Sequence, residues 1–281
     1  MDAAVSVAQA GILQRATGEL LVGVKRRGDA SVLDELRQAG CLKARFPRPV
    51  SDGWIDVAML NTSGGVAGGD RLNVAFHVQR DARATITTPA AERFYRALPN
   101  EIPAKVRNRL HLAAGAAAEW LPQESILFDH CALDRRLVVE LADDARFLGL
   151  EALVFGRAAM GEQVARAWLR DGIRIRRAGR WLLHDSVRLD GEVDASLHRA
   201  AIAGGARAMA TLVQVAPDAE TGLNAARLAL ANAPVEAGAS AWNGMLVARI
   251  LAADFAALRR ALIAALSVLR ASRPLPRVWL C

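Results

Sequence analysis

Hydrophobic positions along most of the chain recur at every second residue. In "RLNVAFHVQ", Leu72, Val74, Phe76 and Val78 fall on one side, and Asn73, His77 and Gln79 on the other. "AKVRNRLHL" repeats the pattern, with Lys105, Arg107, Arg109 and His111 alternating against Val106, Leu110 and Leu112. Period two marks a strand with one buried face. "ARATITTPA", "AAAEWLPQ", "SILFD", "RRLVVEL", "RFLGLEALVFG", "IRIRR" and "RWLLHDSVRL" follow at short spacing, separated by turn signals such as Asp143-Asp144, Asp171-Gly172 and Ala178-Gly179. Many short strands joined by hairpin-like turns predict a mainly β, predominantly antiparallel body with some α, over about residues 17–205.

Two regions depart from that period. "SVLDELRQAG" has Ser31 as a cap, Asp34 three residues on and Gly40 as a stop, which predicts a short helix. Beyond about residue 206 the chain is Ala-rich and reads as an α/β portion. "MATLVQVA" and "SAWNGMLVARILA" each read as a strand. "AETGLNAARLALANA" reads as an amphipathic helix, and "DFAALRRALIAALSVLR" as a helix begun by Asp254 and closed before Pro274. No internal repeat or low-complexity linker breaks the sequence, so residues 1–281 are expected to form a single domain.

Composition narrows the function classes. At 53% hydrophobic residues the chain is globular, and no run of eighteen apolar residues suggests a membrane span. The early Asp2 and the absence of a basic leader argue against a secretory signal. Cys41, Cys131 and Cys281 are scattered, so neither a disulfide framework nor a Cys-x-x-Cys zinc site is available, and a cytoplasmic location is expected. The net charge of +7 invites a nucleic-acid reading, and a basic nucleic-acid-binding β-rich protein is the alternative function. The cations are nearly all Arg, however, and they alternate along strands instead of forming one block. That favours solvated strand faces and an acidic protein partner over nucleic acid.

The stretch "LNTSGGVAGGDRL", residues 60–72, holds two Gly-Gly pairs. It fails as a phosphate loop because Asp70 stands where Lys belongs, and the dinucleotide fingerprint spacing is absent. A tight strand-to-strand connection remains, with more glycine than a hairpin requires. No G-x-S-x-G elbow occurs. In "ESILFDHC", Glu124, Asp129, His130 and Cys131 include neighbours that a strand turns to opposite faces, so they cannot all meet one ion. Glu151 sits in the apolar run "FLGLEALVFG", where a carboxylate needs a partner. Either an arginine pairs with it or it lines an internal passage.

Taken in order, "SVLDELRQAG", "LNTSGGVAGGDRL", "TTPAAERFYRA", "EWLPQESILFD", "FLGLEALVFGR" and "LPRVWLC" resemble the urease accessory proteins of the UreD type, also called UreH, over roughly residues 17–280. The resemblance implies an elongated, strand-rich, non-catalytic maturation factor. It would join UreF and the GTPase UreG on apo-urease to assist nickel insertion, with a possible dimer within that complex. It also implies no tightly bound cofactor: GTP belongs to the partner GTPase, and nickel passes transiently, by an internal route. Gly64, Gly65, Gly68, Gly69 and Asp70 match the family's glycine motif, and Thr87 and Thr88 its Thr-Thr-Pro motif. Glu124 and Asp129 match its Pro-Gln-Glu and Phe-Asp positions, and Glu151 its central acidic residue. Of these, Asp129 and Glu151 are the candidate transient nickel contacts. The chain departs from the family pattern at His130-Cys131, where glycine usually follows Phe-Asp, and at Gly40-Cys41-Leu42, where Gly-Pro-Leu is commoner.

Overall fold

In the computed structural model, which describes residues 14–157, 160–271 and 273–280, the strand pattern resolves into two sheets. β1 (Thr17–Arg27) and β2 (Ala30–Gly40) form a hairpin in the first sheet, while β3 (Leu42–Arg45) and β4 (Ile55–Asn61) begin the second. The chain then alternates. β5 (Arg71–Val78) lies in the first sheet and β6 (Arg83–Thr87) in the second. After the short β7 (Glu92–Phe94), β8 (Ala104–Leu112) returns to the first and β9 (Ala117–Leu121) to the second. Past the short β10 (Ser125–Leu127), β11 (Ala132–Leu141) and β12 (Arg146–Phe155) repeat the step, and β13 (Arg166–Arg177) ends the coil.

Each strand of this coil runs parallel to the one a full turn earlier: β1, β5, β8, β11 and β13 in one sheet, and β4, β6, β9 and β12 in the other. The fold is mainly β with some α, but the expected antiparallel predominance is wrong. Of fifteen pairings between the named strands, nine are parallel. The short turns are the reason. Residues 79–82, 113–116 and 142–145 look like hairpin loops, yet each carries the chain from one sheet to the other. All three close with the same backbone bond, from Ala82, Ala116 and Ala145 to the carbonyl three residues back. The three alanines are fully buried. This is a structural repeat without a sequence repeat.

Antiparallel strands finish the sheets. β14 (Arg180–Glu192) pairs with β13 across Ala178-Gly179, both at positive φ as the turn requires. After the short α1 (Val193–Leu197), β15 (Ala208–Val215) pairs with β12. α2 (Leu223–Ala231) follows, then β16 (Glu236–Trp242) and β17 (Met245–Ala252), and finally α3 (Phe255–Leu269), capped by Asp254 Oδ1 accepting from Ala257 N at 2.8 Å. "SAWNGMLVARILA" is therefore two strands, because Asn243-Gly244 at φ 53° and 71° makes a tight turn. Asp171-Gly172 is no turn, since it lies inside β13.

The expected helix at residues 31–40 is the edge strand β2. Gly28, at φ 57°, folds the chain back so that the segment pairs with β1 from Arg27↔Ala30 to Gly18↔Gly40. Ten residues of ladder override the local cap signal. The layering explains the two hydrophobic textures. The first sheet buries one face, so β5 and β8 alternate strictly. The second is covered on both sides, by the first sheet and by α2 and α3, so β12 is almost continuously apolar. Trp120 and Phe76 meet edge to face at 6.4 Å between the sheets.

Candidate functional site

Arg135 stands on β11 in phase with Leu133, Leu137 and Val139, so strand alternation turns it into the space between the sheets. A guanidinium buried there must be paired. Its Nε and Nη2 donate to Asp171 Oδ1 and Oδ2 at 2.8 and 2.7 Å, a two-point contact from the neighbouring strand β13. Nη1 donates to Ser125 Oγ at 2.7 Å and lies 2.8 Å from Glu151 Oε2. The other Glu151 oxygen accepts from Trp120 Nε1 at 2.9 Å. Arg135, Glu151, Asp171 and Ser125 are all buried.

Two cavities meet at this cluster. The larger, about 80 Å³, is bordered by Asn61, Thr88, Glu92, Ser125, Arg135 and Glu151. The smaller, about 20 Å³, is bordered by Glu151, Asp171, Asp185 and Thr211. Glu151 lines both. Four carboxyl groups, Glu92, Glu151, Asp171 and Asp185, are thus strung along the interior. Burial pushes the Glu151 carboxyl well above the usual carboxylate range, against the pull of Arg135. Burial also raises Glu92, opposed by the amide of Asn61 at 3.2 Å. Burial alone would weaken the charge on Arg135, but Asp171 and Glu151 together outweigh it and keep the guanidinium protonated. The interior is a chain of oxygen donors, with Arg135 between Glu151 and Asp171 and Arg249 on Asp185 at 2.5 Å.

The sequence model described as "UreD urease accessory protein" matches residues 16–280. A urease accessory protein UreD from Azorhizobium caulinodans is 42% identical over 266 residues, covering 95% of this chain and 97% of the relative. Another from a Methylobacterium species (strain 4-46) is 47% identical over 274 residues, covering 95% of each. One from Xanthobacter autotrophicus is 43% identical, covering 98% of this chain and 93% of the relative. The chain belongs to the UreD family of urease accessory proteins.

In this UreD-family chain the glycine motif crosses from β4 in one sheet to β5 in the other, instead of making a tight strand-to-strand turn. A Cβ on Gly65, which sits at φ 143°, would lie 2.3 Å from the Tyr95 ring, and one on Gly68 2.4 Å from the Glu101 carboxylate. Gly64 accepts the Tyr95 hydroxyl at 2.9 Å, and Gly69 takes φ 80°. Asp70 is a clasp: its oxygens accept from Ala16 N at 2.7 Å and Ala67 N at 2.8 Å, tying the start of β1 to the crossing. Thr87 is buried under Val57, and Thr88, on the cavity wall, accepts from Gln123 N at 2.8 Å.

The remaining predicted residues do not converge on Glu151. Asp129 follows β10, accepts from Arg166 N at 3.0 Å and pairs with His130 Nδ1 at 2.7 Å, and it borders neither cavity. Those two contacts outweigh partial burial and hold its carboxyl below the usual range. Glu124, half-buried, is pushed up by burial. Among the described residues no group of three or more His, Cys, Asp or Glu is arranged to hold a metal ion. Glu151 takes both roles open to it, ion-pair partner and cavity lining.

Arg135, Asp171, Ser125 and Glu92 were not singled out from sequence. The signal for Arg135 and Asp171 was present, because each shares the parity of apolar neighbours on its strand. Asp171-Gly172 was read as a turn instead.

Proposed function

We propose that this chain is a non-catalytic urease maturation factor that acts in the cytoplasm with UreF and the GTPase UreG on apo-urease, and that its inter-sheet interior helps deliver nickel. The observation that carries the reading is the succession of carboxyl groups, buried at Glu151 and Asp171 and half-buried at Glu92 and Asp185, along two cavities that share Glu151. Nickel is cargo here, so weak oxygen contacts suit the task better than a tight site that would retain it. Carboxylates and hydroxyls supply such contacts, and Arg135 balances their charge when no cation is present. A nucleotide is not required of this chain, because the GTPase partner would supply that chemistry.

The test is Glu151→Gln, which keeps the shape and the Trp120 contact but removes the charge. Nickel per urease active site should fall several-fold in cells carrying the variant, while UreF and UreG still co-purify with it. Normal loading with an intact complex would defeat the route, and loss of the complex would make Glu151 a structural residue. Asp129→Ala in parallel tests a nickel contact outside the cavities.

A further inference from the structure

The outer face of the first sheet carries a concentration of charge that the interior does not explain. Register places four rows of side chains on it, from the level of Arg71 to that of His111. β8 contributes Lys105, Arg107 and Arg109, and β13 contributes Arg170, Arg174 and Arg176. Single arginines stand on β5, β11 and β14, namely Arg71, Arg136 and Arg188. Only two carboxylates, Asp134 and Glu140, share those rows on these five strands. Nine cations against two anions leave an excess equal to the net charge of the whole chain, +7.

The pairing on this face is uneven. Asp134 is shared by Arg107 at 2.6 Å and Arg136 at 3.4 Å, and Glu140 lies 3.9 Å from Arg176. Among the described residues, Arg71, Lys105, Arg109, Arg170, Arg174 and Arg188 have no carboxylate within ion-pair distance. Six uncompensated cations on one sheet face repel one another, and a protein keeps such an arrangement at a cost that a partner can offset.

We infer that this face is a docking surface for an acidic patch on a protein. With strands about 4.8 Å apart and same-face residues nearly 7 Å apart, the charged area measures about 20 Å by 20 Å. That is about half of one partner's share of a standard interface, enough to anchor it. Guanidinium forks engage carboxylates at two points, and arginine is favoured at such interfaces. A nucleic acid fits less well. Asp134 and Glu140 would interrupt a phosphate track. The hollow of about 310 Å³ at Gly172, walled by Arg136, Arg170, Arg174 and Arg188, is a local depression on three strands that suits a carboxylate side chain, not a groove running the length of the face. Among the described residues of these strands, Trp181, at the border and already under Arg176 at 4.4 Å, is the one strongly exposed Trp, Tyr or Phe, and the imidazoles of His77 and His111 pack on each other, which leaves little for base stacking.

Arg109→Glu with Arg174→Glu tests this, since the two share one register row with Val138 between them. Neither is in an ion pair, so the fold should survive, as an unchanged melting temperature would verify. The full-length variant is titrated against apo-urease and, separately, against a labelled DNA duplex. The choice of apo-urease rests on the maturation reading. Binding to apo-urease should weaken about ten-fold or more at low salt, with the loss shrinking at high salt. A control double reversal at exposed Arg48 and Arg199, equal in charge, should change it by less than about two-fold. Unaltered apo-urease binding by the face variant, an equal loss in the control, or a duplex affinity that is tight in the parent and lost in the variant would each overturn the inference. A strain lacking the chain that still loads its urease normally would sink the maturation reading instead.

Discussion

Two buried ion clusters in this molecule look alike and are built for different ends. The first, Arg135 with Glu151 and Asp171, has one cation between two carboxyl groups and borders cavities on both sides. The second has one carboxylate among cations. Glu119 accepts from Arg270 Nε at 3.0 and 3.1 Å, from Thr85 Oγ1 at 3.1 Å and from Arg273. Arg270 also donates to the carbonyls of Arg273 and Pro274, so this cluster fastens the chain beyond α3 to β6 and β9. Arg273 in turn lies 3.9 Å over the ring of Trp54. With two carboxyl groups to one cation, the first cluster has negative charge left over. The second, one carboxylate between two guanidinium groups, has none to spare and serves to hold, although a cavity of about 380 Å³ borders it too.

The sharpest way to break the comparison is Glu119→Ala. It leaves Arg270, which is 1% exposed, without its carboxylate, and such uncompensated charge costs about 3–5 kcal/mol. Urea denaturation at neutral pH should show a loss of that size. The loss should hardly vary between pH 5 and 7, because arginine does not titrate there. A change under about 1 kcal/mol would mean the clasp is held by the carbonyl contacts alone.

Arg135→Met should cost somewhat less, about 2–4 kcal/mol at pH 7, and should carry a pH signature that the first variant lacks. Glu151 titrates above its unfolded value because it is buried. A raised carboxyl stabilises the fold fully below the unfolded pKa, and that contribution drains away as pH rises through the folded value. Removing the cation raises the carboxyl further, so the deficit of Arg135→Met should be largest at neutral pH and shrink on acidification. A deficit independent of pH would show that Glu151 is neutral throughout, or that Asp171 alone needs the guanidinium.

Much of this arrangement was legible in the sequence, and the parts that were not share a cause. Alternation located the strands, and Asp254 located α3, because both signals are local. What alternation does not carry is the identity of the partner strand. The four-residue turns ending in Ala82, Ala116 and Ala145 read as hairpins because nothing in them records that the next strand belongs to another sheet. The coil repeats at spacings of 34 and then 29 residues between those alanines, too irregular to register as a sequence repeat. Glu151 was conspicuous, an acid in an apolar run. Arg135 was hidden beside Arg136, since one step of parity separates the buried guanidinium from the half-buried one on the outer face. The edge strand β2 was misread because its residues suit a helix and only the ladder to β1 decides otherwise.

The smallest expected effect tests whether the holding cluster or the helix itself keeps the C-terminal layer in place. Asp254→Ala removes the side-chain acceptor for Ala257 N and touches neither ion cluster. Losing a helix cap of this kind costs about 1 kcal/mol. α3 nevertheless buries Leu258, Leu262 and Leu266 completely against β15 and β17, and its far end is fastened by Arg270. The loss should therefore appear as a small drop in global stability, with faster hydrogen exchange confined to the first turn of α3. In combination with Glu119→Ala the two losses should add, because the substituted residues lie at opposite ends of the helix and share no partner. A combined loss well beyond the sum would mean that α3 comes away as a unit once both ends are loosened, and that the holding cluster acts through the helix rather than through the chain that follows it.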